Sequence, residues 1–232
     1  MSWRERAKKR AALEAVKLVK EGYIVGLGSG STVAYAIRGI GERIRLEGLQ
    51  VFGIPTSHQS LILAVENKIP LTTLNENPQL DLAIDGADQI DNELNLIKGM
   101  GGALTREKIV ASVAKKFVIV TDKTKMVERL GINQPLPVEV FPFALPVVKL
   151  KIQELEGNPV LREGKGKVGP IITDNGNFIV DVDFGTINAP ERLNLQLKSI
   201  PGVIETGLFP KMADIIYIGN STSIQILKRK EG

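Results

Sequence analysis

From residue 23 to residue 121, short apolar runs alternate with amphipathic stretches of helical period, an order that commits the chain to a parallel sheet covered by helices. Residues 4–21, with Ala11, Leu13, Val16, Leu18 and Val19 among the apolar positions and Gly22 as the stop, predict a helix. A strand follows at 23–27, then a turn rich in glycine and serine, then a helix at 32–46. The pattern continues as strand 49–54, helix 57–67, strand 81–84, hairpin 89–98, helix 103–116 and strand 117–121.

From Gly131 the texture changes. Pro135, Pro137, Pro142 and Pro146 crowd together, a helix is predicted at 147–156, a hairpin at 174–177 and a helix at 190–199. Strand, helix, hairpin and helix make a compact α+β unit. Segments 203–208 and 214–218 read as strands. A chain of 232 residues is long for one domain and short for two. The expected division is a main α/β domain at 1–130 and 207–232, and a smaller inserted α+β domain at 131–206 that serves oligomerisation or acts as a lid.

Composition limits the chemistry. There is no cysteine and one histidine, His58, which reads as a loop or helix-start residue. Proton transfer must therefore rest on carboxylates and lysines. Disulfides are excluded, no apolar run reaches membrane-spanning length, and residues 1–6 lack an apolar signal region, so a cytoplasmic protein without a membrane partner is expected. Net charge is +4. Arg4, Arg6, Lys8, Lys9 and Arg10 cluster, but Glu5 and Glu14 interrupt them and no aromatic residues interleave with basic ones on a strand. The charge therefore favours a small anionic ligand over nucleic acid.

The turn Gly26-Leu27-Gly28-Ser29-Gly30-Ser31-Thr32 joins a strand to a helix. A dinucleotide fingerprint would place glycine at 31 and an acid about twenty residues on; serine stands at 31 and the next strand ends in Pro55-Thr56-Ser57. A Walker ending is also missing. What remains is either a phosphate cradle, with Ser29, Gly30, Ser31 and Thr32 presenting N–H groups and hydroxyls at a helix N-terminus, or a plain tight turn with a Ser/Thr cap.

Residues 85–107 concentrate the polar chemistry: Asp85-Gly86-Ala87-Asp88, then Lys98-Gly99-Met100-Gly101-Gly102, then Glu107. Asp85 follows an apolar strand and should emerge at the carboxyl edge of the sheet, where open α/β sheets bind ligands. Asp-Gly is also common turn chemistry. A calcium loop counted from Asp85 fails because Ile90 occupies its glycine position, and a metal held by Asp85, Asp88 and Asp91 would be magnesium. Glu107, Val110, Ala114 and Phe117 share a helical face. Glu107 is thus either a partly desolvated general base or a glutamate placed in a first turn by the helix dipole. Lys98 could offset developing negative charge beside a glycine turn or sit solvated at a hairpin end. Lys125 carries the same two readings.

Together these blocks resemble A-type ribose-5-phosphate isomerases of the pentose phosphate pathway, in its non-oxidative branch, and the likeness covers nearly the whole chain. It is carried by Gly28-Ser29-Gly30-Ser31-Thr32, Asp85-Gly86-Ala87-Asp88, the run from Lys98 through Leu104 with Glu107-Lys108, and Asp122 with Lys125. The resemblance implies a Rossmann-like parallel sheet domain, an inserted ferredoxin-like unit, no cofactor, no metal, and a homodimer or homotetramer acting on a small sugar phosphate. It also implies roles. Glu107 matches the proton-shuttling base; Asp85, Asp88 and Lys98 match the other catalytic positions. Ser29, Gly30, Ser31, Thr32, Gly86, Ala87, Gly99, Met100, Gly101 and Lys125 match substrate-binding positions, joined by Lys8. Met100 departs from the glycine or variable residue expected there, while Gly99, Gly101 and Gly102 keep the turn.

The implied reaction moves one proton between C2 and C1 of ribose 5-phosphate and ribulose 5-phosphate through an enediolate. Rival readings are a sugar-phosphate deaminase or coenzyme A transferase of related fold, a non-catalytic sugar-phosphate sensor, and an RNA-binding module. A sensor would keep the 29–32 cradle and have no use for Asp85, Asp88 and Glu107 together.

Overall fold

The computed structural model describes residues 1–164, 166 and 168–229. The chain forms two compact units, Met1–Ala87 with Arg106–Lys125 and Met212–Gly232, and Asp88–Thr105 with Met126–Lys211. Segment 88–105, read from sequence with the main domain, groups with the second unit, whose outer bounds fall at 126 and 211 rather than 131 and 206. Residues 230–232 of the expected main domain lie outside the described residues.

In chain order the elements begin with α1 (Trp3–Val16), β1 (Ile24–Leu27), α2 (Val33–Glu47), β2 (Phe52–Pro55), α3 (His58–Glu66) and β3 (Leu82–Asp85). Next come β4 (Gln89–Ile90), β5 (Leu96–Ile97), α4 (Leu104–Ser112), β6 (Phe117–Asp122), β7 (Leu136–Val140), α5 (Leu145–Glu154) and β8 (Asn158–Leu161). The chain closes with β9 (Phe178–Asp183), α6 (Pro190–Lys198), β10 (Val203–Thr206), β11 (Leu208–Phe209), β12 (Ile215–Gly219) and β13 (Ile224–Lys228).

The first unit holds a six-stranded sheet in the order β13-β12-β6-β3-β1-β2. All its pairings are parallel except that of β12 with β13. Every residue of β3 and β6 is buried, as expected of central strands covered on both faces. α1 presents Ala11, Ala12 and Ala15, all fully buried, to a core that includes Val118, Val120 and Tyr217. It ends at Val16, short of the predicted residue 21, because Lys17, Leu18 and Val19 continue as tight turns. Val19 is still buried, so its apolar character serves the core and not the helix. Ser57 starts α3 with a reciprocal capping box to Ser60, a device that contributes about 1 kcal/mol.

In the order of the parallel strands, β2-β1-β3-β6-β12, the sheet winds one way from β1 and the other way from β3. The crevice outside the carboxyl ends of such a pair of strands is where doubly wound sheets hold ligands.

The second unit runs β7-α5-β8-β9-α6-β10 with sheet order β10-β7-β9-β8, every pair antiparallel. This is the split βαβ, ferredoxin-like arrangement. Val138, Val148, Ile152, Val180, Val182 and Leu197 form its core. Central strand β7 contains Pro137, which the sequence pattern would steer to an edge. Pairing with β10 stops at Val138, and the Pro137 carbonyl accepts the Gly207 N–H at 2.7 Å, so the missing proline N–H falls beyond the ladder. A small antiparallel sheet, β11-β5-β4, completes the unit and contains the predicted hairpin. Among the described residues no helix is long and apolar enough to cross a membrane.

Candidate active site

At the carboxyl edge of the first unit's sheet, the ends of β1 and β3 meet. Gly28 continues β1, its N–H bonded to the Ile84 carbonyl at 3.0 Å. A β-carbon at position 28 would lie 2.2 Å from Asp85 Oδ1, so only glycine lets the Asp85 carboxylate lie there. Asp85 Oδ1 accepts the N–H groups of Gly86 at 2.7 Å and Ser29 at 3.2 Å. The first bond is the turn chemistry expected of Asp-Gly. The second ties β3 to the glycine turn, and the carboxylate is buried where it does so.

The 29–32 turn is set by Gly30, whose φ of 100° is open to glycine and costly for other residues. Thr32 caps α2 without spending its hydroxyl on a capping bond. Ser29 Oγ donates to Ser57 Oγ at 2.6 Å and lies 3.0 Å from Thr56 Oγ1; Gly30 N–H donates to Gln59 Oε1 at 2.9 Å. Lys8 Nζ donates to Ser31 Oγ at 3.1 Å, bringing a cation to a turn of hydroxyls at a helix N-terminus.

Lys8 is itself held. Its ammonium also donates to Glu5 Oε1 at 3.1 Å, and Tyr35 donates its hydroxyl to Glu5 Oε2 at 2.7 Å. The Tyr35 hydrogen bond, then that from Lys8, lowers the Glu5 carboxyl below its ordinary range, and the Glu5 partner pushes the Tyr35 phenol up. Glu5, Ser31, Tyr35 and Gln59 line an open depression of about 450 Å³ beside the turn.

Lys125 ends a 3₁₀ turn directly after β6, on the same sheet edge, and is half-buried. Asp122 shapes that turn by accepting the Thr124 N–H at 2.9 Å and hydroxyl at 2.6 Å. Glu107 lies in the first turn of α4 and is 5 % exposed. The far end of α4 is anchored at the start of β3, where Leu80 exchanges hydrogen bonds with Val113 and Lys115. The helix start, with Glu107, therefore points toward the carboxyl edge. Its apolar face is shorter than predicted: α4 ends at Ser112, Ala114 bridges to Leu80 and Phe117 belongs to β6, so of that face only Val110 shares the helix with Glu107.

In the second unit, Lys98 follows β5, its N–H bonded to the Gly207 carbonyl at 2.9 Å. Its side chain is 2 % exposed with Nζ 5.5 Å from the centre of the Phe209 ring, which overturns the reading of a solvated hairpin-end lysine. Asp88 Oδ2 accepts the Met100 N–H at 2.9 Å, bringing together two of the predicted residues. Gly99 has φ 101°, and a β-carbon there would meet Leu104 at 2.8 Å. Gly86, Ala87 and Gly102 are half-buried, whereas Met100 and Gly101 are exposed. Asp91 is occupied by its own turn, accepting Glu93 N–H, Asn95 N–H and the Asn95 amide at 2.9 Å each. His58 opens α3 and is exposed, as the sequence suggested.

Sequence reasoning missed Thr56, Ser57 and Gln59, which reach the glycine turn from the β2–α3 junction, and Arg162, which reaches Gly99 and Met100. The polar run Thr56-Ser57 after an apolar strand was a usable signal for the first group, since the carboxyl ends of neighbouring parallel strands converge. Nothing local to Arg162 marked it.

Fold and site thus define a doubly wound α/β protein with a glycine turn of hydroxyls at a helix N-terminus and a buried aspartate at its switch point. The family model described as ribose 5-phosphate isomerase A (phosphoriboisomerase A) matches residues 52–223. The chain is 54% identical over 225 residues to a ribose-5-phosphate isomerase A of Methanosarcina acetivorans, covering 97% of this chain and 95% of that protein. It superposes on ribose 5-phosphate isomerase A from Methanocaldococcus jannaschii with a TM-score of 0.93 and 48% identity, covering 97% of this chain and 99% of the other. A D-ribose-5-phosphate isomerase in complex with phospho-erythronic acid matches with a TM-score of 0.95 and 42% identity, over 99% and 100% of the two chains. The chain belongs to the ribose 5-phosphate isomerase A family.

Proposed function

We propose that this chain interconverts D-ribose 5-phosphate and D-ribulose 5-phosphate, with Glu107 as the base. What supports this reading is membership of the family together with a buried Glu107 in the first turn of α4 and an Asp85 whose carboxylate accepts the Ser29 N–H of the glycine turn. Glu107 takes the proton from C2 of the open-chain aldose, leaving an enediolate, and returns it to C1. Lys98 stabilises the charge that develops on the substrate oxygens, where one preorganised donor is worth about 3 kcal/mol. Asp85 and Asp88 carry hydroxyl protons during ring opening and the exchange between O1 and O2.

Phosphate binding falls to Ser29, Gly30, Ser31 and Thr32 with Lys125 and Lys8, which anchors the far end of the sugar and fixes C1 and C2 against the base. Gly86, Ala87, Gly99, Met100 and Gly101 contact the sugar through backbone groups. A relative solved in complex with phospho-erythronic acid supports a phosphorylated small molecule as ligand. These steps use no cofactor. The assembly proposed is a homodimer or homotetramer, a reading supported by the exposed Phe141, Phe143, Val147 and Leu150 around the start of α5, and the location proposed is the cytoplasm. A monomer in light scattering at working concentration would contradict it.

Purified protein incubated with ribose 5-phosphate in D₂O and chelator tests the activity. Ketose formation with deuterium entering C1 is expected. Absence of ketose, or turnover that stops in chelator, would overturn the reading.

A further inference from the structure

Arg162 directly follows β8, and its side chain is 10 % exposed. One edge of the guanidinium forms a two-pronged pair with Asp181 of β9, Nε lying 2.7 Å from Oδ2 and Nη2 also bonded to Oδ1. The remaining nitrogen, Nη1, donates to the carbonyl of Gly99 at 2.9 Å and to that of Met100 at 3.0 Å. The Met100 N–H goes to Asp88 Oδ2, and Gly102 N–H returns to the Gly99 carbonyl at 3.0 Å. The polar groups of two successive peptides are thus fixed from two sides, by a cation on the carbonyls and a carboxylate on the intervening N–H.

This geometry has a directional consequence. In a trans peptide the C=O and the following N–H point in opposite directions. With the Met100 carbonyl turned onto Arg162, the Gly101 N–H is turned away from it. Gly101 itself is exposed, and no heavy atom lies within 4 Å of where its β-carbon would stand. A glycine turn without such a hold samples many conformations, and its donors are not preorganised. Lysine could not replace the arginine: a point charge cannot grip Asp181 with two parallel bonds while directing a third donor at two carbonyls.

We propose that Arg162, braced by Asp181, is a positioning residue for the reaction: it sets the 98–102 turn so that Lys98 and the Gly101 N–H meet the substrate oxygens. The inference rests on the proposed isomerisation and adds to it a residue with no part in the proton transfers. Phosphate capture by the 29–32 turn does not pass through Arg162, and Arg162 reaches only the turn that contacts the sugar, so the defect should fall more on kcat than on KM.

The test compares the full-length wild type with Arg162→Ala, Arg162→Lys and Asp181→Asn by kcat, KM and thermal midpoint. Arg162→Ala should lose about 100-fold in kcat, the scale of a small misplacement of reacting groups, with KM changed by less than about threefold. Added guanidinium ion should restore part of that kcat, while urea at equal concentration should not. Arg162→Lys and Asp181→Asn should fall between Arg162→Ala and wild type. Should Arg162→Ala fail to fold, a smaller loss of kcat at near-constant KM in a folded Arg162→Lys carries the test. Full kcat in either folded Arg162 variant, or a loss in Arg162→Ala that guanidinium leaves untouched, would overturn the inference while leaving an active wild type and its isomerase reading intact. A wild type without ketose formation would overturn both.

Discussion

Gly28 and Asp85 occupy the same space at the meeting of β1 and β3: a β-carbon on residue 28 would stand 2.2 Å from Oδ1 and 2.3 Å from Cγ of Asp85. The glycine is required for close approach and not for a left-handed backbone, since position 28 is not among the glycines with positive φ. Gly28→Ala must therefore displace the carboxylate and with it the bond to Ser29 N–H. Overpacking of this kind costs about 1–3 kcal/mol. The variant should show a lowered urea midpoint and at least about a tenfold loss of kcat, read by chemical denaturation and by ketose formation. Wild-type values for both would remove Asp85 from its proposed place.

Glu139, fully buried in β7, accepts hydrogen bonds from the hydroxyls of Thr105 and Thr173 and the side-chain amides of Asn175 and Asn177. The carboxylate accepts from two amides and two hydroxyls, so Glu139→Gln removes its charge and one acceptor and forces a hydroxyl to turn and accept the new amide N–H. Breaking such a buried network costs about 2–4 kcal/mol. Because Thr105 lies in the first turn of α4, two residues before Glu107, kcat should fall as well. Denaturation midpoints and kcat measured together check both effects.

Glu5 holds Lys8 against the 29–32 turn. Glu5→Gln removes the charge of that hold while leaving the catalytic carboxylates untouched, so KM should rise about two- to fivefold, the worth of a partly exposed ion pair, with kcat unchanged. The Tyr35 and Lys8 bonds lower the Glu5 pKa, so this carboxylate stays ionised at pH 5 to 8 and should add no step to the KM profile there.

Asp81 precedes β3 and accepts Lys115 Nζ at 2.8 Å and the Ile24 N–H at 3.0 Å. The Lys115 hydrogen bond, then that from Ile24, lowers its pKa in the folded state. A lowered folded pKa means that the unfolded chain binds the proton more readily. The stabilisation is complete above the unfolded value of about 3.9 and is lost as pH falls through the folded one. Asp81→Asn should therefore be less stable than wild type at pH 7, and the difference should close as pH drops below about 4. A gap that persists or widens at pH 3 would contradict this, and urea midpoints across that range provide the check.

Elements whose sequence and tertiary demands coincide were legible. Strand β6 is a continuous apolar run because both of its faces are covered, and the glycine turn after β1 was visible because Gly28, Gly30 and the hydroxyl residues adjoin one another. Strand β7 was counted as the first strand of the small unit but without bounds, since Pro135 and Pro137 signal an irregular segment and only the end of its pairing with β10 accommodates the ring. Strand β13 carries Gln225 and Lys228 among its apolar residues on the outer edge of the sheet, which weakens its pattern. Helix α4 was carried on to 116 because Ala114 keeps the helical period while bridging to Leu80, whereas Phe117 starts β6 as read. In the candidate site, residues inside one block were read directly. Gln59 and Arg162 were not, because their partners lie 29 and more than 60 residues away in the chain and no spacing records such a meeting.

The central claim, that Glu107 moves the proton, is tested most directly by kcat and ligand affinity measured together in Glu107→Gln. The amide keeps the shape and cannot accept the C2 proton, so kcat should fall at least about 100- to 10,000-fold while the dissociation constant for a phosphorylated sugar acid stays within about threefold of wild type. Near-normal kcat in that variant would contradict the account.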